Sequence, residues 1–435
     1  MICPYPDCNA EVAGVGGVGY CVKCACPVFQ CPKCEVSNRA FARYCRKCNH
    51  VISFPETQLL LGGGARAELS AQPKQVVINR PFWVTPLAYK GFLWCLSATG
   101  DVIKVSPFEE SAQHFGTLGS SFGKSAFTVM PRPEDETDNL PPYLLAASPD
   151  ALSGINLLTG EVREFLRASA GEQLLSNFGD EYAGVESRGR TVFFLKRRDG
   201  RVYLAALDLR AMTVKQYALP EGEVVGPLRV GDRVGVYSRS AVYLLDEGEV
   251  KEVVRFAPSF RAWVTPGENS QLQPRVGRLP FITQQNSIYV PGATGGVPGF
   301  LYVSLRGGAA SSSFFPLAGE SCCAQDAGSR LLVARAGGLD VYEGMTARAV
   351  RLDPQLNAQA PAYHDDSLTA CFVKSAGGVE ALRFYYGNKV GDYSLAQLGR
   401  PTAMEFLAVA GTLALPYLGE GAGGSCLGIV IWDVR

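Results

Sequence analysis

Beyond residue 75 the chain repeats one rhythm. A short apolar run is followed by a Gly- or Asp-bearing turn, a second apolar run, another turn and a more polar third run, and the cycle then restarts. Eight cycles can be counted. Their central pairs are Phe92 to Ser97 with Val102 to Ser106, Tyr143 to Ser148 with Leu152 to Leu158, Thr191 to Lys196 with Val202 to Leu207, and Arg233 to Ser238 with Ala241 to Leu245. The series continues with Ser287 to Val290 and Phe300 to Leu305, Arg330 to Arg335 and Gly338 to Tyr342, Leu368 to Lys374 and Val379 to Tyr385, and Thr412 to Tyr417 and Gly428 to Val434. Such runs predict strands, and helical patterning is nearly absent. Candidates for a further, inner strand precede the pairs at Phe82 to Leu87, Ala126 to Met130, Arg278 to Thr283 and Ala403 to Val409.

The pairs start about every 40 to 55 residues, the interval of four-stranded propeller blades. The expected fold class is therefore mainly β, with a single β-propeller over 76–435, eight blades preferred and seven possible. A two-sheet sandwich or two separate β domains is the alternative. The last cycle stops at Arg435 after its third strand, and the run from Val76 to Asn79 has the alternation and position to supply the missing outer one. That would close the ring by joining the two ends of the chain.

Composition adds limits. The 41 basic and 41 acidic residues balance, so the total charge carries no footprint for nucleic acid. No apolar run approaches the roughly 18 to 20 residues of a membrane span, which predicts a soluble chain with no membrane partner. Residues 52–75, with the Gly62, Gly63, Gly64 start of their glycine-rich part and Pro73, read as a flexible linker.

Ahead of that linker, eight cysteines stand in four pairs: Cys3 with Cys8, Cys21 with Cys24, Cys31 with Cys34, and Cys45 with Cys48. A CxxC turn presents two sulfurs from one tight loop, and two such turns facing each other complete the tetrahedron zinc prefers. Each half thus reads as a four-thiolate site, giving two zinc ions. Little else between Met1 and Val51 could form a core, and metal supplies the missing stability. Cys26 is a ninth cysteine and an alternative to Cys24, although Cys21 and Cys24 mirror Cys45 and Cys48, each pair following a tyrosine, Tyr20 or Tyr44. Disulfides are the competing reading. No signal peptide precedes Cys3, which points to a reducing, cytoplasmic compartment and to metal. Lys33, Arg39, Arg43, Arg46 and Lys47 make the second half locally basic, as a solvated surface or a phosphate contact.

Residues 1–51 resemble the double zinc ribbon of many bacterial and archaeal proteins. The similarity is carried by Cys31, Cys34 and Asn38, the aromatics Phe41 and Tyr44, and the closing pair Cys45 and Cys48. The first half departs from the pattern, since four residues separate Cys3 from Cys8 and a glycine-rich loop, Gly14 to Gly19, leads to Cys21. The second half also fits the spacing of the Ran-binding-protein type finger, with Phe29 where that family has tryptophan; the resemblance implies ubiquitin-like or single-stranded nucleic-acid binding as an alternative role. The turns Thr99-Gly100-Asp101 and Thr159-Gly160-Glu161, with Leu207-Asp208-Leu209 and Ile431-Trp432-Asp433 at comparable strand ends, look like those of pyrroloquinoline-quinone-like and WD-repeat propellers. That likeness raises a quinone-dependent enzyme, several of which carry a vicinal cysteine pair like Cys322 and Cys323. Those enzymes are exported, and the pair here falls on an expected inner strand, where small cysteines fill cores.

Other catalytic patterns are weak. Only three histidines occur, His50, His114 and His364, and none stands in a metal-ligand motif. His364 with Asp365 and Asp366 reads as a turn. Gly119 to Ser125 has three residues between its glycines where a phosphate loop needs four. The acidic run Glu134, Asp135, Glu136 and Asp138 reads as a solvated loop or a partner contact. No enzyme is expected. The preferred role is a cytoplasmic, bacterial or archaeal scaffold in which propeller and ribbons bind protein partners. In architecture the chain looks like propeller components encoded beside MoxR-type AAA-plus ATPases and von Willebrand A-domain proteins.

Overall fold

Each cycle of the repeating pattern becomes one antiparallel sheet, and the eight sheets are the blades of a β-propeller. The computed structural model describes residues 2–4, 10–12, 14–15, 18–21, 27–39, 45–48, 50, 73–82, 86–107, 109–119, 126–130, 141–175, 183–265, 268, 282–284, 286–305, 310–317, 323–326, 331–344, 346–358, 360–364, 368–374, 380–386, 389–394, 402–403, 406–409, 412–421 and 424–433. Among these residues there is no helix, and none long and apolar enough to cross a membrane.

Why the central strands are almost continuously apolar follows from where their two faces go. In blade 1 the strand Phe92–Leu96 sends Leu93 and Cys95 into a cluster shared with blade 8, and Trp94 and Leu96 into one shared with blade 2. In blade 7 the strand Leu368–Lys374 turns Leu368, Ala370 and Phe372 toward blade 8 and Cys371 and Val373 toward blade 6. Alternate side chains point to opposite faces, so a strand covered on both sides needs apolar residues at every position. Eight such clusters lie one between each pair of neighbouring blades.

The ring closes as the pattern predicts. Lys74–Ile78 adds antiparallel to Gly424–Asp433, with Ile78 opposite Leu427 and Lys74 opposite Ile431. Val76 and Ile78 enter the apolar cluster between blades 8 and 1, beside Leu93 and Cys95 of one and Leu427 and Ile429 of the other. The expected linker lies outside the described residues apart from its last three, of which Lys74 and Gln75 begin this closing strand.

Serine turns repeat too. Ser97, Ser148 and Ser238 follow or end the second strands of blades 1, 2 and 4, and their hydroxyls accept the backbone N–H of Asp101, Ala151 and Ala241 at 2.9, 3.1 and 3.1 Å. Such bonds satisfy the donor where the ladder opens.

Four strand assignments change. The inner strand of blade 1 is Leu87–Tyr89 rather than Phe82 to Leu87, and Phe82 makes an isolated bridge to Ser97. The fifth pair is Ser287–Thr294 with Val297–Ser304, joined by Gly295 and Gly296 at φ +58° and +83°, the tight hairpin turn that two such glycines favour. The apolar pattern ends the first run of this pair at Val290, before Pro291 and Gly292. They lie inside the strand, and Gly292 is glycine because a Cβ would meet the Arg261 carbonyl at 2.4 Å and the Phe260 ring at 2.5 Å. The eighth pair is likewise longer, Thr412–Gly421 with Gly424–Asp433. Finally, the inner strand is in two pieces in blades 3, 5 and 8: Glu172–Leu174 and Val185–Arg188, Phe260–Ala262 and Ile282–Gln284, and Thr402–Ala403 and Leu407–Val409.

A ninth sheet precedes the propeller. Gly14–Val15, Val18–Tyr20, Pro27–Gln30 and Ser37–Arg39 pair antiparallel in chain order.

Candidate metal centre

Cys31 and Cys34 sit on one tight turn and Cys45 and Cys48 on another, and the turns are built alike. The N–H of Cys31 donates to the Val36 carbonyl at 3.0 Å, and that of Cys45 to the His50 carbonyl at 2.8 Å. The first turn ends with Glu35 at φ +57°, whose N–H returns to the Cys31 carbonyl at 2.8 Å. Facing each other, the turns bring all four sulfurs within 4.8 Å of one another. Cys31 Sγ lies 3.7 Å from Cys48 Sγ, and Cys34 Sγ 3.5 Å from Cys45 Sγ. Four sulfurs placed about 2.3 Å from a central tetrahedral zinc stand about 3.8 Å apart, so the donor set and its spacing fit such an ion. A disulfide requires about 2.05 Å. The nine cysteines whose side chains are described are all free thiols.

Asn38 holds the two turns in register, a role that spacing alone did not assign. Its side chain is 1% exposed. The amide Nδ2 donates to the Val36 carbonyl at 2.7 Å and toward Cys45 Sγ at 3.6 Å, while Oδ1 accepts the Arg46 N–H at 2.9 Å. One buried amide therefore touches both turns. Phe29, also 1% exposed, packs on Cys31 and Cys45 and excludes water from that side.

The thiols do not share one electrostatic environment. Burial raises Cys45, but backbone N–H groups of Cys48 and Lys47 outweigh it and bring the thiol down to about 6. At Cys34 the Val36 amide lowers the value, yet burial and the three neighbouring sulfurs prevail and push it up to about 12. Several thiolates crowded together resist ionisation, and a divalent cation between them removes that penalty. Pro32, Lys33, Arg46 and Lys47 form the exposed tips of the turns. The positive charge of Lys33, Arg46 and Lys47 offsets the net negative charge of four thiolates around one dication.

In the first half, Cys3 and Cys21 are buried together with Val12 and Val28, beside Ala10. Cys8, Cys24 and the alternative Cys26 lie outside the described residues. Among the described residues the second half alone assembles a metal-type cluster.

The remaining candidates fall into structural places. His114 Nε2 lies 3.3 Å from Asp101 Oδ1, and Asp101 also accepts from Thr99 and Thr117 and pairs with Arg80 at 2.8 Å. His364 closes the inner strand Ala362–His364 of blade 7 rather than a turn, with Nδ1 2.9 Å from Thr369 Oγ1; Asp365 and Asp366 are outside the description. Cys323 begins the inner strand Cys323–Asp326 of blade 6 as expected, while Cys322, residues 120–125 and the acidic run 134–138 are not described.

The class this defines is a β-propeller preceded by a cysteine module able to hold a metal ion. No family model matches the chain, and no curated protein is similar to it. Solved structures share the fold. The computationally designed Ika8 protein is 10% identical with a TM-score of 0.52, covering 84% of this chain and 100% of its own. BamB from Moraxella catarrhalis is 12% identical over 84% of this chain and 100% of its own, with a TM-score of 0.44. An oligogalacturonate lyase in complex with manganese is 11% identical over 82% of this chain and 90% of its own, with a TM-score of 0.40.

Proposed function

We propose that this protein is a non-enzymatic zinc-binding scaffold whose ribbons and propeller bind protein partners in a cytoplasmic multi-protein system. The observation that carries the reading is the convergence of Cys31, Cys34, Cys45 and Cys48. Four cysteine sulfurs fill a tetrahedral shell, so a metal held there has no open position for water or substrate and acts as a structural staple. Zinc suits an all-thiolate tetrahedron; an iron–sulfur cluster uses the same donors and would betray itself by colour. Burial of Phe29 weighs against the base-stacking role that the corresponding tryptophan position would serve in nucleic-acid binding.

A rigid disc tethered to a small second recognition module gains avidity at a shared target without new contacts. By architecture, the partner class is a MoxR-type AAA-plus ATPase with a von Willebrand A-domain protein.

Elemental analysis of chain purified without chelators tests the metal. Zinc in stoichiometric amount is expected, and its loss in Cys31→Ser or Cys45→Ser with an unchanged propeller unfolding transition. Metal near zero in the wild-type chain would refute it. The scaffold role is tested by binding of the purified chain to a purified ATPase of that class; Cys45→Ser should weaken it, and equal affinity of the two forms would remove the ribbons from the interface.

A further inference from the structure

The strand Pro27–Gln30 lies between the second and third cysteine pairs, and its two central side chains diverge. Val28, 0% exposed, packs with Cys3, Val12 and Cys21, whereas Phe29 packs with Cys31 and Cys45. Neighbouring residues of a strand face opposite sides. The two cysteine halves are consequently built back to back on one sheet. A second link joins them at the sheet's far strand, where the Ile2 N–H donates to Ser37 Oγ at 3.2 Å, and Ser37 is paired with Gln30. Among the described residues neither half has an apolar core large enough to offset the roughly 1–2 kcal/mol per residue that ordering its backbone costs.

We propose that this shared strand couples the halves, so that metal held by Cys31, Cys34, Cys45 and Cys48 orders the first half through Val28. The proposal rests on the metal reading of that site. Metal fixes Cys31 and Cys45, and Phe29 is packed against both. Fixing Phe29 fixes the strand in its register, in which Val28 lies opposite Gly19 and Phe29 opposite Val18. Val28 is then presented to Cys3 and Cys21 from the other face. Coupling of this kind is reciprocal, so a disturbance in the first half weakens metal binding in the second by the same factor.

The test uses the full-length chain purified with zinc, following amide hydrogen exchange over residues 10–21 alongside metal content. In Cys45→Ser, exchange at 10–12 and 18–21 is expected to rise by about tenfold or more, although nothing there has been altered. In Val28→Ala, which keeps every cysteine, chelator competition should show zinc held several-fold more weakly by the second half. Wild-type exchange over 10–21 in metal-depleted Cys45→Ser, or wild-type zinc affinity in Val28→Ala, overturns the coupling. A wild-type chain without metal overturns the metal reading instead, which separates the two failures.

Discussion

At the scale of single residues, charge is used to tie strands and blades together. Asp353, at the crossover from blade 6 to blade 7, accepts the Gln355 N–H at 2.9 Å, pairs with Arg383 at 2.9 Å and accepts from the Tyr385 hydroxyl; Arg383 in turn grips Asp392 with two bonds of 2.7 Å. Burial works to raise the Asp353 carboxyl, but its hydrogen bonds from Tyr385, Gln355 and Arg383 hold it below the usual range. Burial opposes ionisation of Glu268 as well, and bonds from Arg239 and the Val264 and Thr265 amides bring it down to about 2. Asp101 is lowered in the same way by Thr99, Thr117 and Arg80 against its own burial. A folded pKa below the unfolded one stabilises at pH above the unfolded value, near about 4, and that stability disappears as pH falls through the folded value. Thermal unfolding should therefore drop steeply from about pH 4.5 to about pH 2. Asp353→Asn is expected to lower stability at pH 7 by about 1–3 kcal/mol and to flatten that drop, as scanning calorimetry across pH would show. At the cysteine module, Asn38→Ala should reduce metal affinity about 10- to 100-fold in chelator competition, because Asn38 positions both turns without being a ligand.

Among the strands and turns, two kinds of glycine turn need different explanations. Gly100 has φ +84°, and a Cβ there would strike the Gly119 carbonyl oxygen at 2.1 Å; Gly200 has φ +76° with nothing within 4 Å. Replacing Gly200 by Ala should cost about 1 kcal/mol for the left-handed backbone alone. Gly100→Ala adds a backbone collision and should cost about 2–4 kcal/mol, a difference readable from urea unfolding midpoints. The same distinction accounts for strand ends that local reading misplaced. Gly292 lies past the apolar run that ends at Val290 and Gly428 opens the last run, but each sits mid-strand under an aromatic ring, Phe260 and Tyr417, that leaves no room for a Cβ. Periodicity located Ala126–Met130 and Leu368–Lys374 as they stand, since nothing there competes with the pattern.

For the whole molecule, closure is the decisive event. The strand Lys74–Ile78 is hydrogen-bonded to blade 8 and ion-paired to blade 1 through Lys74 with Glu110 at 3.2 Å, and just beyond it Arg80 pairs with Asp101 at 2.8 Å. A chain starting at residue 80 loses Val76 and Ile78 from the core between those blades and bares the edge of Gly424–Asp433. Its melting temperature should fall by about 10 °C and light scattering should reveal association, whereas a chain starting at residue 73 should match the full-length propeller. The eight-fold repetition, the closing strand and the grouping of Cys31, Cys34, Cys45 and Cys48 were legible from sequence alone, because short apolar runs bounded by turn residues, and CxxC spacing, record local chain geometry. Tertiary structure alone decided that Val28 and Phe29 serve opposite cysteine cores, that Asn38 bridges two turns, and that Asp101, Asp353 and Glu268 each meet a distant arginine, Arg80, Arg383 and Arg239. Those facts depend on which surfaces meet once the sheets pack, and sequence separation carries no record of that distance.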